Sequence, residues 1–265
     1  MKRTRLLAAL LPLMILTSCF AGGKNVVSTD GSTSMERVIG ALIEGYREVD
    51  GSVTINYSGT GSGAGIEAVL SGVCDIGLSS RPLNDSEISK GAQAHTVALD
   101  GIAVIVNPSN PVRNLSSEQL ARIFTGEIGN WVQLGGENIP IAVYGREAGS
   151  GTREAFEDIL GISDHARYTN EYSSTGDIVG SIGSNPNGIG YVSLSNVKGG
   201  VRSLLIDGTI CSEEAIRSGA YPIQRPFILV TSRNSPLSPQ AKAFLDYVLS
   251  DRVKDYIAIA GAVTP

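Results

Sequence analysis

One local device occurs three times in this chain and restricts its fold more than any other feature. An extended apolar run meets a turn of glycines and small hydroxyls, and the turn opens a segment with apolar residues at helical spacing. The turns are Gly31-Ser32-Thr33-Ser34, Gly59-Thr60-Gly61-Ser62-Gly63 and Gly149-Ser150-Gly151-Thr152. Around the third, Ile139–Tyr144 reads as a strand and Glu154–Leu160 as a helix, with Ser150 or Thr152 as the expected N-cap. Ser32, Thr33 and Ser34 offer the same caps to a helix expected over about 35–48. Strands alternating with helices call for an α/β architecture of mostly parallel sheets covered on both faces. In open sheets of that kind, strand-to-helix turns gather at the carboxyl ends of the strands, where ligands bind.

Helix starts have orphan N–H donors and a partial positive charge, and glycines let a ligand approach the backbone closely. A single turn of this sort is simply a capped helix start. Three that converge suit a small multivalent anion, and Arg146, just before the third turn, adds a planar fork for a tetrahedral oxyanion. Hydrogen bonds to a charged ligand contribute about 1.5–3 kcal/mol each, so several of them, less the cost of association, reach about −8 kcal/mol, or micromolar affinity, without a metal.

Competing chemistries have thinner support. Gly59-x-Gly61-x-x-Ala64 fits a dinucleotide fingerprint, with Asp75 as its acidic partner, but that leaves the other two turns unexplained. No Gly-Lys-Ser/Thr follows these glycines, and Gly149-Ser150-Gly151 is not a nucleophile elbow. The two histidines, His95 and His165, sit in unrelated contexts, and no segment has metal-ligand spacing. Neither an enzyme nor a cofactor or metal is expected.

The chain opens Met1-Lys2-Arg3-Thr4-Arg5, runs apolar through Leu16 and reaches Leu16-Thr17-Ser18-Cys19. That is an export leader, too short to span a membrane, and cleavage before Cys19 would leave a diacylated cysteine and a short tether. Three of the 21 Lys and Arg lie in residues 1–18, so the remaining 247 residues carry 18 basic against 26 acidic groups, net −8. An acidic chain without a basic patch makes nucleic acid an improbable partner. An aromatic content of 6% argues against a sugar cleft lined with stacked rings. Cys74 and Cys211, 137 positions apart, give no disulfide framework.

Further strands are expected at 53–57, 73–78, 95–106, 188–192, 201–205 and 227–232. Helices are expected at 175–182, 239–249 and 253–259, and Ser116-Ser117-Glu118-Gln119 has the form of a capping box.

Six landmarks in order carry a resemblance over nearly all of the exported chain: Asp30-Gly31-Ser32-Thr33, Tyr57–Ser62, Asp75–Arg81, Arg146–Thr152, Gly188–Tyr191 and Tyr221–Pro226. The chain resembles the phosphate-binding proteins of bacterial phosphate ABC transporters. The resemblance implies a two-lobed, hinge-closing periplasmic-binding-protein fold of type II that holds inorganic phosphate between its lobes and delivers it to permease and ATPase subunits. It implies lobe I at 26–103 plus 227–265 and lobe II at 104–226. It implies ligand contacts from Ser32, Thr33, Ser34, Ser62 and Ser80 on the first lobe, and from Arg146, Ser150, Gly151 and Thr152 on the second. Cys19 would carry the lipid anchor. Many family members have an Asp where Ser80 stands, which accepts the proton of hydrogen phosphate. Here Ser80, Asp30 or Asp177 would serve, with Arg81 as a partner for a carboxylate. Another oxyanion, sulfate or molybdate, is the nearest alternative ligand, and an exported phosphatase the next reading.

Overall fold

The computed structural model describes residues 25–265, so the expected leader, Cys19 and most of the tether lie outside the described residues. The chain starts with β1 (Val26–Gly31), passes a 3-10 turn at Thr33–Met35 and enters α1 (Glu36–Arg47). Then follow β2 (Thr54–Ser58), α2 (Ser62–Leu70), β3 (Ile76–Ser79) and α3 (Asp85–Ser89). The long β4 (Ala92–Val106) leads into β5 (Asn114–Leu115), α4 (Ser117–Phe124), β6 (Ala142–Arg146), α5 (Gly151–Leu160), β7 (Asn170–Tyr172), α6 (Thr175–Ser184) and β8 (Gly188–Ser193). Three two-residue strands come next, β9 (Arg202–Ser203), β10 (Leu205–Ile206) and β11 (Thr209–Ile210), with α7 (Glu213–Arg217) after them. β12 (Gln224–Ser232) runs back, and α8 (Pro239–Val248) and α9 (Lys254–Ile259) close the chain.

The main sheet has the order β2-β1-β3-β12-β4-β8-β6-β7, with β9 beside β4. Its flanks are parallel, β2-β1-β3 on one side and β8-β6-β7 on the other. The centre is antiparallel, so the sheet is mixed rather than parallel throughout. The cause is topological: a chain that leaves one lobe and later returns lays one strand in each direction. β4 pairs with β12 from Ala92 to Gly101 and with β8 from Ile102 to Val106.

That change of partner separates two cores. On the first lobe, β12 alternates its side chains. Phe227 and Leu229 face the cluster of Val38, Ile39 and Leu42 from α1 and Phe244 and Val248 from α8. Ile228 and Val230 face Ile66 and Val69 of α2. Both faces are thus covered, each fully buried aliphatic side chain contributing about 1.5–3 kcal/mol. On the second lobe, Ile102–Val106 packs with Phe124, Phe156, Ile178, Ile182 and Tyr191. The Phe156 and Tyr191 rings there stack at 4.1 Å.

The strand expected at 73–78 begins only at Ile76. Gly72, at φ 73°, turns the chain after α2 and leaves Val73 76% exposed. Cys74 and Cys211 are both free and buried, in different cores. The capping box at Ser116 and Gln119 forms as expected.

Candidate functional site

Two sets of helix starts can be contrasted. Asn84, Ser116, Ser174, Ser212 and Ser238 each accept a backbone N–H of the first turn, as N-caps normally do. At the three glycine turns the corresponding residues, Ser32, Gly61 and Ser150, make no side-chain cap bond. The expectation that Ser32–Ser34, Ser150 or Thr152 cap their helices is therefore corrected: Ser34 and Thr152 bond to each other, Ser32 bonds to Ser80 and Thr33 to Thr175 instead.

Ser32 Oγ donates to Ser80 Oγ at 2.9 Å, and Ser80 Oγ lies 3.3 Å from Ser62 Oγ, which accepts the Ser80 N–H at 3.1 Å. These three come from the ends of β1 and β3 and the start of α2. Across the crevice, Ser34 Oγ stands 2.6 Å from Thr152 Oγ1 on α5. The backbones also meet, Gly63 N–H donating to Gly149 O at 3.0 Å. Ser32, Ser34, Ser62, Ser80, Ser150 and Thr152 are all buried. Five of these, Ser32, Ser34, Ser62, Ser80 and Thr152, meet in one crevice from four separate segments, which packing alone does not explain.

Two glycines permit this approach. A Cβ on Gly151 would lie 2.2 Å from Ser62 Oγ, and one on Gly31, at φ 139°, would lie 2.2 Å from Leu78 O.

Arg146 ends β6 with its side chain 2% exposed. Nε donates to Glu147 Oε2 (3.2 Å) and Tyr172 O (3.1 Å), while Nη2 donates to Glu147 Oε1 (2.9 Å) and Ser173 O (2.9 Å). Nη1 donates to Thr175 Oγ1 at 3.1 Å. Glu147 matches the guanidinium charge, so a ligand would be held by aimed donors more than by net charge. Thr33 Oγ1 lies 3.2 Å from Thr175 Oγ1.

The family model for the PBP superfamily domain matches residues 20–252. The chain belongs to the PBP superfamily. Within it, the chain is 32% identical over 242 residues to the phosphate-binding protein PstS of Bacillus subtilis, covering 89% of this chain and 79% of that one. It is 28% identical over 274 residues to PstS of Borreliella burgdorferi, covering 98% of each. A crystal structure of a Clostridium perfringens protein, described as a phosphate ABC transporter substrate-binding protein and holding bound phosphate, superposes with a TM-score of 0.87 at 36% identity, covering 91% of this chain and 99% of that chain.

In this PBP-superfamily chain the crevice runs between the two lobes and brings together Ser32, Thr33, Ser34, Ser62 and Ser80 from one side with Arg146, Gly151 and Thr152 from the other, Ser150 being buried at the start of α5. The two carboxylates considered as proton acceptors are engaged elsewhere. Asp30 Oδ1 accepts from Thr60 Oγ1 at 2.6 Å, and the exposed Asp177 accepts from Ser174 Oγ at 2.7 Å. Arg81 is a partner for carboxylates: it forks onto Glu87 at 2.9 and 2.7 Å and pairs across the lobes with Glu154. Burial opposes its charge, yet the two carboxylates hold its pKa above the usual arginine value.

Sequence reasoning missed Thr175, buried at the first position of α6. Its signal is present, since Ser173-Ser174-Thr175-Gly176 is a fourth hydroxyl-and-glycine helix start. The strand before it, Asn170–Tyr172, is short and polar, so no apolar run marks it.

Proposed function

We propose that this chain captures inorganic phosphate between its lobes and delivers it to the permease and ATPase subunits of an ABC transporter. The observation that carries the reading is the set of buried hydroxyls at uncapped helix starts on both sides of one crevice, linked to the buried Arg146 through Thr175. Ser32, Thr33, Ser34, Ser62 and Ser80 hold the ion from the first lobe, taken as 26–103 plus 227–265. Arg146, Ser150, Gly151 and Thr152 hold it from the second, 104–226. The phosphate bound to the Clostridium perfringens relative and the names of the PstS relatives support the ligand. The chain is read as an exported binding protein without catalysis, anchored by a lipid on Cys19.

Closure replaces the water shell of a dianion with fixed donors, and the ion favours closure only through contacts better made in the closed state. Titration calorimetry of residues 25–265 with phosphate, sulfate and molybdate tests the reading. Micromolar or tighter phosphate binding is expected, weakened strongly in Arg146→Ala and less in Ser150→Ala. Unchanged affinity in both variants would falsify the placement of the site.

The second reading, another oxyanion, rests on Ser80. A hydroxyl can accept the proton of hydrogen phosphate, but it can also donate to sulfate, so it rejects sulfate less firmly than a carboxylate would. Tighter sulfate than phosphate binding at pH 7 would favour that reading. Turnover of a chromogenic phosphate ester would instead favour an exported phosphatase.

A further inference from the structure

Arg146 has five N–H donors in one plane. Nε is shared between Glu147 and Tyr172 O, both hydrogens of Nη2 are taken by Glu147 and Ser173 O, and one hydrogen of Nη1 goes to Thr175 Oγ1. The remaining N–H is on Nη1, the nitrogen that Thr175 touches. Because Thr175 Oγ1 accepts there, its own hydrogen is free to run onward. Two hydroxyls of the opposite lobe stand within reach, Ser34 Oγ at 3.3 Å and Thr33 Oγ1 at 3.2 Å. Ser34 in turn meets Thr152 of α5 at 2.6 Å. One buried hydroxyl therefore joins the guanidinium to both sides of the crevice, and Thr175 is 3% exposed at a position where Ser174 already caps the helix.

We propose that Thr175 is a positioning residue for the ligand: it fixes the plane of Arg146 so that the last Nη1 hydrogen meets a tetrahedral oxyanion, and it relays that contact to Ser34 across the lobes. Nothing about helix stability needs this hydroxyl, since the cap is made by its neighbour. The methyl group of a threonine could be there for packing alone, and the choice of variants separates the two roles. Thr175→Val keeps the shape and removes the hydroxyl, whereas Thr175→Ser keeps the hydroxyl and removes the methyl.

The inference rests on the phosphate reading above, so wild-type protein is titrated with phosphate in parallel; if it fails to bind, that reading falls first. Given wild-type binding, Thr175→Val is expected to weaken phosphate roughly ten- to hundred-fold, the cost of one hydrogen bond to a charged group. Thr175→Ser is expected to bind within about three-fold of wild type, and the melting temperature without phosphate is expected to change little in the valine variant. Valine binding phosphate as wild type does, or serine losing as much as valine, overturns the proposal. A large fall in melting temperature accompanied by unchanged affinity in Thr175→Val assigns the residue to packing and overturns it equally.

Discussion

Single atoms decide whether the crevice can close. Gly151 is the sharpest instance, because a methyl group there would lie 2.2 Å from Ser62 Oγ and 2.7 Å from Ser62 Cβ, with buried Ser80 Oγ at 3.0 Å closing the space into which the serine could turn. Overpacking costs about 1–3 kcal/mol, and here the strain falls on the contact between lobes rather than inside either core. Gly151→Ala is expected to weaken phosphate binding by roughly 5- to 150-fold with little change in the melting temperature of the free protein, measured by calorimetry and thermal denaturation. The cysteines make a contrasting case. Burial, with help from Asp30 and Asp75, pushes the Cys74 thiol up to about 11, and burial raises Cys211 further. The thiolate is the reactive form, so at pH 8 both cysteines should be inert toward a thiol reagent in the native protein and react on unfolding. Prompt labelling of either in native protein would contradict the burial described.

At the level of elements, the helix starts divide by what their hydroxyls do, and stability should divide with them. Ser116→Ala and Ser238→Ala remove true caps and are expected to lower stability by about 1 kcal/mol each without altering phosphate affinity. Ser32→Ala and Ser62→Ala remove hydroxyls that cap nothing, and the expected loss is in affinity. Chemical denaturation alongside titration checks both halves. The strands β4 and β12 hold a second distinction, the fully buried pair of Asp100 and Arg225 at 3.0–3.1 Å, with Ser193 Oγ donating to Asp100 at 2.6 Å. Burial raises the Asp100 pKa despite Arg225, and lowers that of Arg225 despite Asp100, so desolvation outweighs attraction for both. Asp100→Ala alone should cost about 3–5 kcal/mol by stranding Arg225, while Asp100→Leu with Arg225→Met should cost much less. Equal losses in the single and double variants would show that the ion pair, not its burial, stabilises these strands. These elements also mark what a sequence can disclose. The three glycine turns were legible because glycine, hydroxyl and apolar run are local signals. The mixed centre of the sheet was not, because the antiparallel partners of β4 lie more than eighty residues away in the chain. Nor was the choice between capping and facing the crevice: Ser116 and Ser150 look alike until the opposite lobe is present.

At the scale of the molecule, Arg81 of the first lobe pairs beside the crevice with Glu154 of α5, close to the turn that carries Gly151 and Thr152. The pair has the form of a latch, but its electrostatics point the other way. Arg81 is already matched by the fork of Glu87, so Glu154 brings a surplus negative charge to a half-buried site. Burial first, then repulsion from Glu87 and Asp158, raises the Glu154 pKa more than Arg81 lowers it. Parting the lobes would take Glu154 away from Arg81 and Glu87 and return its carboxyl to water and toward its ordinary range, so its proton is expected to be held more tightly in the closed molecule. Protonation therefore favours closure, and the benefit appears as pH falls through the raised pKa toward the ordinary carboxyl value. Above that window the ionised Glu154 opposes closure, which eases release of the ligand. Glu154→Gln is accordingly expected to bind phosphate at pH 7 as tightly as wild type or somewhat more tightly, although it breaks the inter-lobe ion pair. It should also lose any excess of affinity that wild type gains near pH 5 once the protonation of phosphate itself is accounted for. Calorimetric titrations of both proteins from pH 5 to 8 decide this, and a ten-fold loss of affinity in Glu154→Gln at pH 7 would mean that the pair is a latch after all.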